Sequence, residues 1–421
     1  MELNNTESQA NSRRVVITGV GLIIANGVGR DAAWEALRSG ANGIGNTQRC
    51  DVNDLASQVS GEVPEFDLST YLDKKESRRM DRFTHLAIMA AGEAIDHSGL
   101  DINSEAEQIG CMIGVGIGGM ETLEREFKNL FDKGPDRVSP FLVPMFIPDM
   151  AAGQVSIRYG AKGPNFNTVS ACASGADSIG TAAELIRRGD AVAMIAGGAE
   201  GAVTRMSITA FANMRALSRN NDPATASRPF DRERDGFVLG EGSGILILEN
   251  QEHAERRGAN IICEYRGYGQ SADAFHITQP SEQGEGAARA MNIALTKAQI
   301  SPSDVDYINA HGTSTPMNDK FETLSIKSVF GEQAYSVPIS STKSMVGHTL
   351  GAAGGIEAVV TALSIKDDII HPTINLDNPD QDCDLDYVTN ESRAISVNIA
   401  MTNSLGFGGH NSSLVFSKYL G

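Results

Sequence analysis

The amino-acid sequence predicts an α/β fold built from two similar halves. Short apolar runs bounded by glycine recur along the chain: Val15-Val-Ile-Thr-Gly-Val-Gly, Cys111-Met-Ile-Gly-Val-Gly, Ala191-Val-Ala-Met-Ile-Ala and Ile245-Leu-Ile-Leu. Runs of this kind, apolar without alternation, are what strands buried on both faces require. Helical stretches such as Leu86 to His97 lie between them. Two distant stretches also share one plan of strand, small-residue turn and helix: Phe166 to Ser170 then Cys172 to Arg188, and Val337 to Thr342 then Gly351 to Lys366. That repetition points to an internal duplication. No Pro- or Ser-rich joint separates the halves, and the residues suited to chemistry come from both, so the two should share one site. Structure is expected to begin near Arg13, after a loose polar tail over residues 1–12, with halves at 13–260 and 261–421.

Composition bounds the function. The chain has 421 residues, of which 41% are hydrophobic and 21% charged, enough to bury a large core. No run approaches the ~18 apolar residues of a membrane span, and the N-terminus lacks the basic start and apolar centre of a secretory signal. A soluble, cytoplasmic enzyme is expected. Five cysteines, at 50, 111, 172, 263 and 383, include no CxxC pair and argue against a disulfide framework or a zinc site. With 35 basic and 53 acidic residues the net charge is −18, which opposes binding to nucleic acid or an anionic membrane. An acidic partner needs a local basic patch. Lys75, Arg78, Arg79 and Arg82 provide one, on a single face if the segment is helical.

Three segments carry the chemistry: Thr168-Val-Ser-Ala-Cys172-Ala-Ser-Gly, Asn309-Ala-His311-Gly-Thr-Ser-Thr315 and Ser341-Thr-Lys343-Ser-Met-Val-Gly-His348. A fourth, Gly406-Phe407-Gly-Gly-His-Asn411, is placed to close over them. One cysteine and two histidines among Gly, Ser, Thr and Ala suit thioester chemistry: a soft nucleophile, two donors or bases, and backbone free to approach. Cys172 follows a strand-like run and opens an amphipathic stretch, which puts it on a tight turn at a helix N-terminus. There the helix dipole and free amides favour thiolate and can hold an oxyanion. The other four cysteines lack this setting. Neither Gly406 to Gly409 nor Gly114-Val-Gly-Ile-Gly-Gly has the spacing of a phosphate or dinucleotide loop.

These segments, in this order, resemble the β-ketoacyl-[acyl-carrier-protein] synthases, specifically the elongating type II enzymes. The likeness runs from about Arg13 to the C-terminus and includes Arg228-Pro-Phe-Asp-Arg-Glu-Arg-Asp-Gly-Phe-Val-Leu-Gly-Glu-Gly, Pro372-Thr-Ile-Asn-Leu-Asp-Asn-Pro and Asn403-Ser-Leu-Gly-Phe-Gly-Gly. It implies a thiolase-like fold of five layers, α-β-α-β-α, and a homodimer. It implies decarboxylative condensation of acyl- and malonyl-acyl carrier protein to a 3-oxoacyl chain two carbons longer. In that family the residue matching Cys172 carries the acyl group, and those matching His311 and His348 stabilise the enolate as neutral donors. By the same resemblance, the amides of Cys172 and Phe407 form the oxyanion hole and Phe407 gates malonyl entry. Lys343 and Glu357 match a supporting charged pair, and Thr313 and Thr315 match contacts to the phosphopantetheine arm. Ile117 matches a tunnel-lining position, while Met145 and Phe146 wall the neighbouring subunit's tunnel. Lys75, Arg78, Arg79 and Arg215 are expected to dock the carrier protein. No cofactor is required beyond the phosphopantetheine of the substrates; Asn309, Glu357, Thr402 and Asn403 match positions that hold Na+ or K+ in some relatives. Leu405 and His410 depart from the residues frequent in the gate.

Other readings fare less well. A degradative thiolase needs a second C-terminal cysteine as base, and only Cys383, in an acidic run, is offered. An initiating synthase would have asparagine where His348 stands. A catalytically inactive chain-length partner or scaffold is disfavoured by intact Cys172, His311, Lys343 and His348. A cysteine hydrolase would release free acid.

Overall fold

A computed structural model describes residues 13–421. The expectation of a loose tail over residues 1–12 falls outside the described residues. Ten strands form the path of one continuous sheet: β1 Val15–Ile24, β2 Ile109–Gly114, β3 Asn165–Phe166, β4 Ala193–Glu200, β5 Gly242–Asn250, β6 Cys263–Ala272, β7 Tyr307–Asn309, β8 Ile339–Ser340, β9 Ile399–Gly406 and β10 His410–Ser417. A two-residue strand, Gly27–Val28, pairs beside β1.

The duplication is written in the strand order. The path runs β8-β7-β9-β10-β6-β1-β5-β4-β2-β3, so each half, numbered from its own first strand, has the order 3-2-4-5-1. The hydrogen-bonding sense repeats too. In the first half β2 is parallel to β3 and β4, and β5 is antiparallel to β4 and β1. In the second half β7 is parallel to β8 and β9, and β10 is antiparallel to β9 and β6. The halves join where Val15–Ile17 of β1 meets Cys263–Tyr265 of β6.

Six helices complete five layers. Helices α1 Arg82–Ser98 and α2 Met150–Tyr159 cover the outer face of the first half, and α4 Glu285–Ala298 and α5 Pro316–Phe330 that of the second. Helices α3 Ser174–Arg188 and α6 Ala353–Asp367 lie between the two sheet halves and pack on each other. Alternation along each strand feeds different layers. Ile245 and Ile247 enter the core under α1, whereas Leu246 and Leu248 enter the core around α3 and α6. Burial of such a side chain stabilises by about 1.5–3 kcal/mol. A strand apolar on both faces therefore reads as an unbroken apolar run.

The crossing of α3 and α6 sets up the site. A Cβ on Gly175 would lie 2.6 Å from the Gly355 nitrogen, and one on Gly354 would lie 2.4 Å from the Ala176 nitrogen. With glycine at these points the two helix starts come into backbone contact. Ahead of each helix the same short turn recurs, Ala171–Ala173 and Leu350–Ala352, and both open with a left-handed residue, Ala171 and Leu350, each at φ 50°. Such backbone is strained for a residue with a side chain and persists only where the surroundings hold it.

The basic cluster is not one helical face. A helix covers only Lys74–Ser77, started by a capping box of Asp73 and Glu76, and Arg78 already terminates it. Arg82 instead begins α1, where its guanidinium bonds both oxygens of the fully buried Glu241 at 2.6 and 2.7 Å. An unpaired carboxylate there would be costly, so Arg82 is held inward and is lost to the surface. Lys75, Arg78 and Arg79 stay exposed, Arg79 over the ring of Phe141.

Candidate active site

The turn before α3 carries Cys172, and its counterpart before α6 follows directly on His348. His311 lies two residues beyond β7, in the loop that runs to Thr315, the side-chain N-cap of α5. All three open on one cavity of about 480 Å³, together with Ile117, Arg215, Thr313, Thr315, Leu405, Gly406 and Phe407. Six segments distant in sequence, drawn from both halves, thus meet in it.

The imidazoles of His311 and His348 are 5.2 Å apart, centre to centre, and nearly perpendicular at 87°. Their tautomers follow from their Nδ1 partners. Lys343 Nζ lies 3.2 Å from His311 Nδ1, and the Leu350 N–H donates to His348 Nδ1 at 3.3 Å. An ammonium and an amide are donors only in these contacts, so each Nδ1 accepts and each Nε2 carries the proton. Both rings are held neutral. Burial lowers each pKa well below the usual imidazole value, and the charge on Lys343 lowers it further. Lys343 also donates to the His311 carbonyl at 2.7 Å and pairs with Glu357. Lys343→Met should therefore raise the His311 pKa toward 6.5. NMR titration of the ring carbons checks this; an unmoved titration would show that burial alone keeps the ring neutral.

Cys172 differs from expectation in its charge. Burial pushes the thiol up to about 11, outweighing the Lys343 charge and the nearby Phe407 N–H, both of which favour thiolate. The helix start is present, but the dipole of a helix end is worth only about 0.3–1 kcal/mol at exposed sites and up to ~2 when partly buried. Desolvation of a thiolate exceeds that, so Cys172 rests as a thiol. The close approach of the gate requires Gly406, whose Cβ would fall 2.7 Å from the Ser170 oxygen and 3.2 Å from the Cys172 nitrogen. Left-handed Gly408 and Gly409 turn the chain behind Phe407.

Residues that the sequence did not single out hold these loops. Glu322 on α5 accepts the N–H groups of His311 and Gly312, each at 2.8 Å, and burial pushes it up to about 7. Asp319, one turn earlier, accepts the Thr313 N–H at 3.0 Å and faces Arg234. Glu200, at the end of β4, accepts amides from two loops. The only sequence trace of Glu200 is an acid at the end of an otherwise apolar run, while on α5 Asp319 and Glu322 share their buried face with Thr323 and Ser325 and do not stand out. Phe237 packs edge-on against His348, ring centres 5.1 Å apart.

Other expected residues divide. Thr313 and Thr315 line the mouth with hydroxyls 3.0 Å apart, and Arg215 is exposed beside them. Ile117 is half-buried in the wall next to Leu350. Met145 and Phe146 back the Gly118–Gly119 loop of their own chain and do not line the cavity. For a monovalent cation, buried Glu357 Oε2 and Thr402 Oγ1 are oxygens without a hydrogen-bond partner among the described residues, and Asn309 lies beside Thr402 in register. These hard oxygens fit such an ion. The Asn403 side chain does not join them. Successive strand residues face opposite sides, and its amide contacts Met291 of α4 and Ser413.

Two family models match the chain, the N-terminal domain of beta-ketoacyl synthase over residues 12–254 and its C-terminal domain over residues 262–377. The chain belongs to the beta-ketoacyl synthase family. Over 409 residues it is 55% identical to 3-oxoacyl-[acyl-carrier-protein] synthase 2 of Staphylococcus aureus (strain N315), covering 97% of this chain and 99% of the relative. It is 54% identical to the enzyme of the same name from Synechocystis sp. (strain ATCC 27184 / PCC 6803 / Kazusa), covering 97% and 98%. Among solved structures, a beta-ketoacyl synthase from Burkholderia phymatum STM815 superposes with TM-score 0.90 at 36% identity, covering 97% of this chain and all of that one. A type II PKS acyl-carrier protein in complex with its ketosynthase bound to the hexaketide gives 0.89 at 36%, covering 97% and 99%. This beta-ketoacyl synthase has the thiolase-like fold of those neighbours.

Proposed function

We propose that this synthase condenses an acyl group with malonate, both carried on acyl carrier protein, to give 3-oxoacyl-[acyl carrier protein] and CO2 in fatty acid elongation. The observation that carries the reading is one cavity holding the Cys172 sulfur and two neutral imidazoles with Nε2–H directed by their Nδ1 partners. In the first half-reaction the Cys172 sulfur attacks the acyl thioester. A sulfur–acyl bond forms, the bond to pantetheine sulfur breaks, and the thiol proton leaves with the pantetheine. Amides of Cys172 and Phe407 hold the oxyanion. In the second, the carbon–carboxylate bond of the malonyl group breaks, CO2 leaves, and the electron pair becomes an enolate whose oxygen accepts from His311 and His348. The enolate carbon attacks the acyl-cysteine; the new carbon–carbon bond forms as the carbon–sulfur bond breaks, and the thiol is regenerated on reprotonation. Neutral donors suit this step, since the enolate and not a proton transfer is what they stabilise.

The surroundings are read in the same way. Thr313 and Thr315 hold the phosphopantetheine arm at the mouth, while Arg215 with Lys75, Arg78 and Arg79 attracts an acidic carrier protein. Phe407 gates the cavity between the half-reactions. Asn309, Glu357 and Thr402 would hold a monovalent cation that stiffens the floor behind Lys343. Exposed Phe166, Val169 and Ile157 beside edge strand β3 support a homodimer in which Met145 and Phe146 wall the partner's acyl tunnel. We take 13–260 and 261–421 as the two halves and the cytoplasm as the compartment, in keeping with five free thiols. The inactive-partner alternative has no support, because nucleophile, donors and charged pair are assembled together.

The test is to mix the protein with acyl-loaded carrier protein and locate the adduct by mass spectrometry of peptides. The acyl mass should sit on Cys172 alone. An adduct elsewhere, or none, would overturn the assignment.

A further inference from the structure

Glu200 ends a strand whose preceding seven residues, Ala193 to Ala199, are all apolar or glycine, and its carboxylate is fully buried. Its strand, β4, lies parallel to β2 with Gly198 opposite Gly114, so its end reaches the loop Val115–Gly119 that follows β2. Glu200 Oε2 accepts the N–H of Gly116 at 2.8 Å, of Ile117 at 3.2 Å and of Gly351 at 3.1 Å. Oε1 accepts the N–H of Gly118 at 3.2 Å. Among the described residues Glu200 makes no ion pair; backbone amides are what offset its burial, which still pushes it up to about 7. A buried carboxylate without a cation is costly, and an apolar residue in its place would leave four amides without partners.

The glycines indicate that this contact is built. A Cβ on Gly116 would lie 2.8 Å from Glu200 Oε2 and 3.1 Å from the Gly351 nitrogen. One on Gly351 would lie 2.1 Å from the Gly116 nitrogen and 2.9 Å from the same carboxylate oxygen. Only with glycine on both sides can one oxygen bridge the two segments. Each segment ends in the cavity. The first carries Ile117 in its wall. The second carries Leu350, also in the wall, whose N–H fixes the His348 tautomer and whose left-handed φ of 50° needs an anchor next in sequence.

We propose that Glu200 is a positioning residue that locks the acyl-pocket wall at Ile117 to the turn behind His348, so that acyl-length selection and enolate stabilisation depend on one carboxylate. The proposal rests on the condensing reaction proposed above. Removing the bridge frees Ile117 to move in the wall and lets the Leu350 turn relax, which takes away the donor that keeps the His348 proton on Nε2.

The test uses the full chain with Glu200→Gln, which keeps the shape and one acceptor oxygen, and Glu200→Asp, which keeps the charge but is one methylene too short to span both loops. Hydrogen exchange followed by mass spectrometry should show residues 115–119 and 349–352 losing protection together in both variants. In competition between long and short acyl carrier proteins, the product ratio should shift about tenfold, the scale of one charge-assisted hydrogen bond. Malonyl decarboxylation should fall as well. In the double variant Glu200→Gln, Ile117→Ala the ratio should match that of Ile117→Ala alone, because Glu200 acts on length through Ile117. Loss of protection in only one segment, or in neither, would overturn the proposal. So would an equal loss of rate on every acyl length, the mark of a merely structural role. Wild type is run in parallel: if it elongates nothing, the condensing reading fails, and the exchange result still decides whether Glu200 couples the two loops.

Discussion

Cys172→Ala should abolish condensation, by a factor on the order of 10⁶, the scale seen when a covalent nucleophile is removed, yet leave malonyl decarboxylation measurable. The two half-reactions use different atoms of one cavity. In the proposed reaction the sulfur carries the acyl chain, and His311 with His348 receives the developing enolate oxygen. His311→Ala therefore loses both reactions, with decarboxylation falling about 10²–10³-fold, as for loss of one oxyanion donor. The check is paired: CO2 release from malonyl carrier protein and chain extension, measured on the same folded variants. Elongation that survives in Cys172→Ala would remove the nucleophile from the account. Decarboxylation that survives undiminished in His311→Ala would remove the enolate donors.

Ile117→Phe should cut elongation of long acyl chains far more than of short ones. Ile117 stands in the cavity wall beside Leu350, flanked by glycines whose backbone is pinned to Glu200, so the backbone cannot retreat from a larger side chain. An isoleucine can change rotamer; a ring there fills the space. Each methylene kept out of the pocket forfeits roughly 0.8 kcal/mol of burial, or about fourfold in kcat/KM. The penalty should then multiply with chain length. A length profile unchanged in Ile117→Phe would place the gauge elsewhere in the wall.

Much of the fold was legible because strands buried on both faces leave no polar residue in the run. Ile245 to Leu248 is the clear case, with successive side chains sent to different cores. The strand-turn-helix plan around Cys172 was legible from its recurrence ahead of α6 and not from burial, since both residues of β3 are exposed and β3 and β8 are only two residues long. Each stops early because the chain must leave the sheet to place the Cys172 turn and the Lys343 loop. The basic cluster misled because periodicity sees spacing and not partners: Arg82 answers to Glu241, 159 residues away. Glu200, Glu322 and Asp319 were not legible, since their donors are backbone amides brought in by the tertiary fold. The protonation of Cys172 was misjudged because burial, which outweighs the helix end, cannot be read from a turn sequence.

The measurement that tests the central claim most directly is mass spectrometry of carrier-bound products after incubation with acyl carrier protein and malonyl carrier protein labelled with carbon-13 at the two retained carbons. The account predicts a 3-oxoacyl chain two carbons longer, carrying both labelled carbons and formed with one CO2 per extension. Release of free acid, or an unextended acyl chain after full release of CO2, would contradict it.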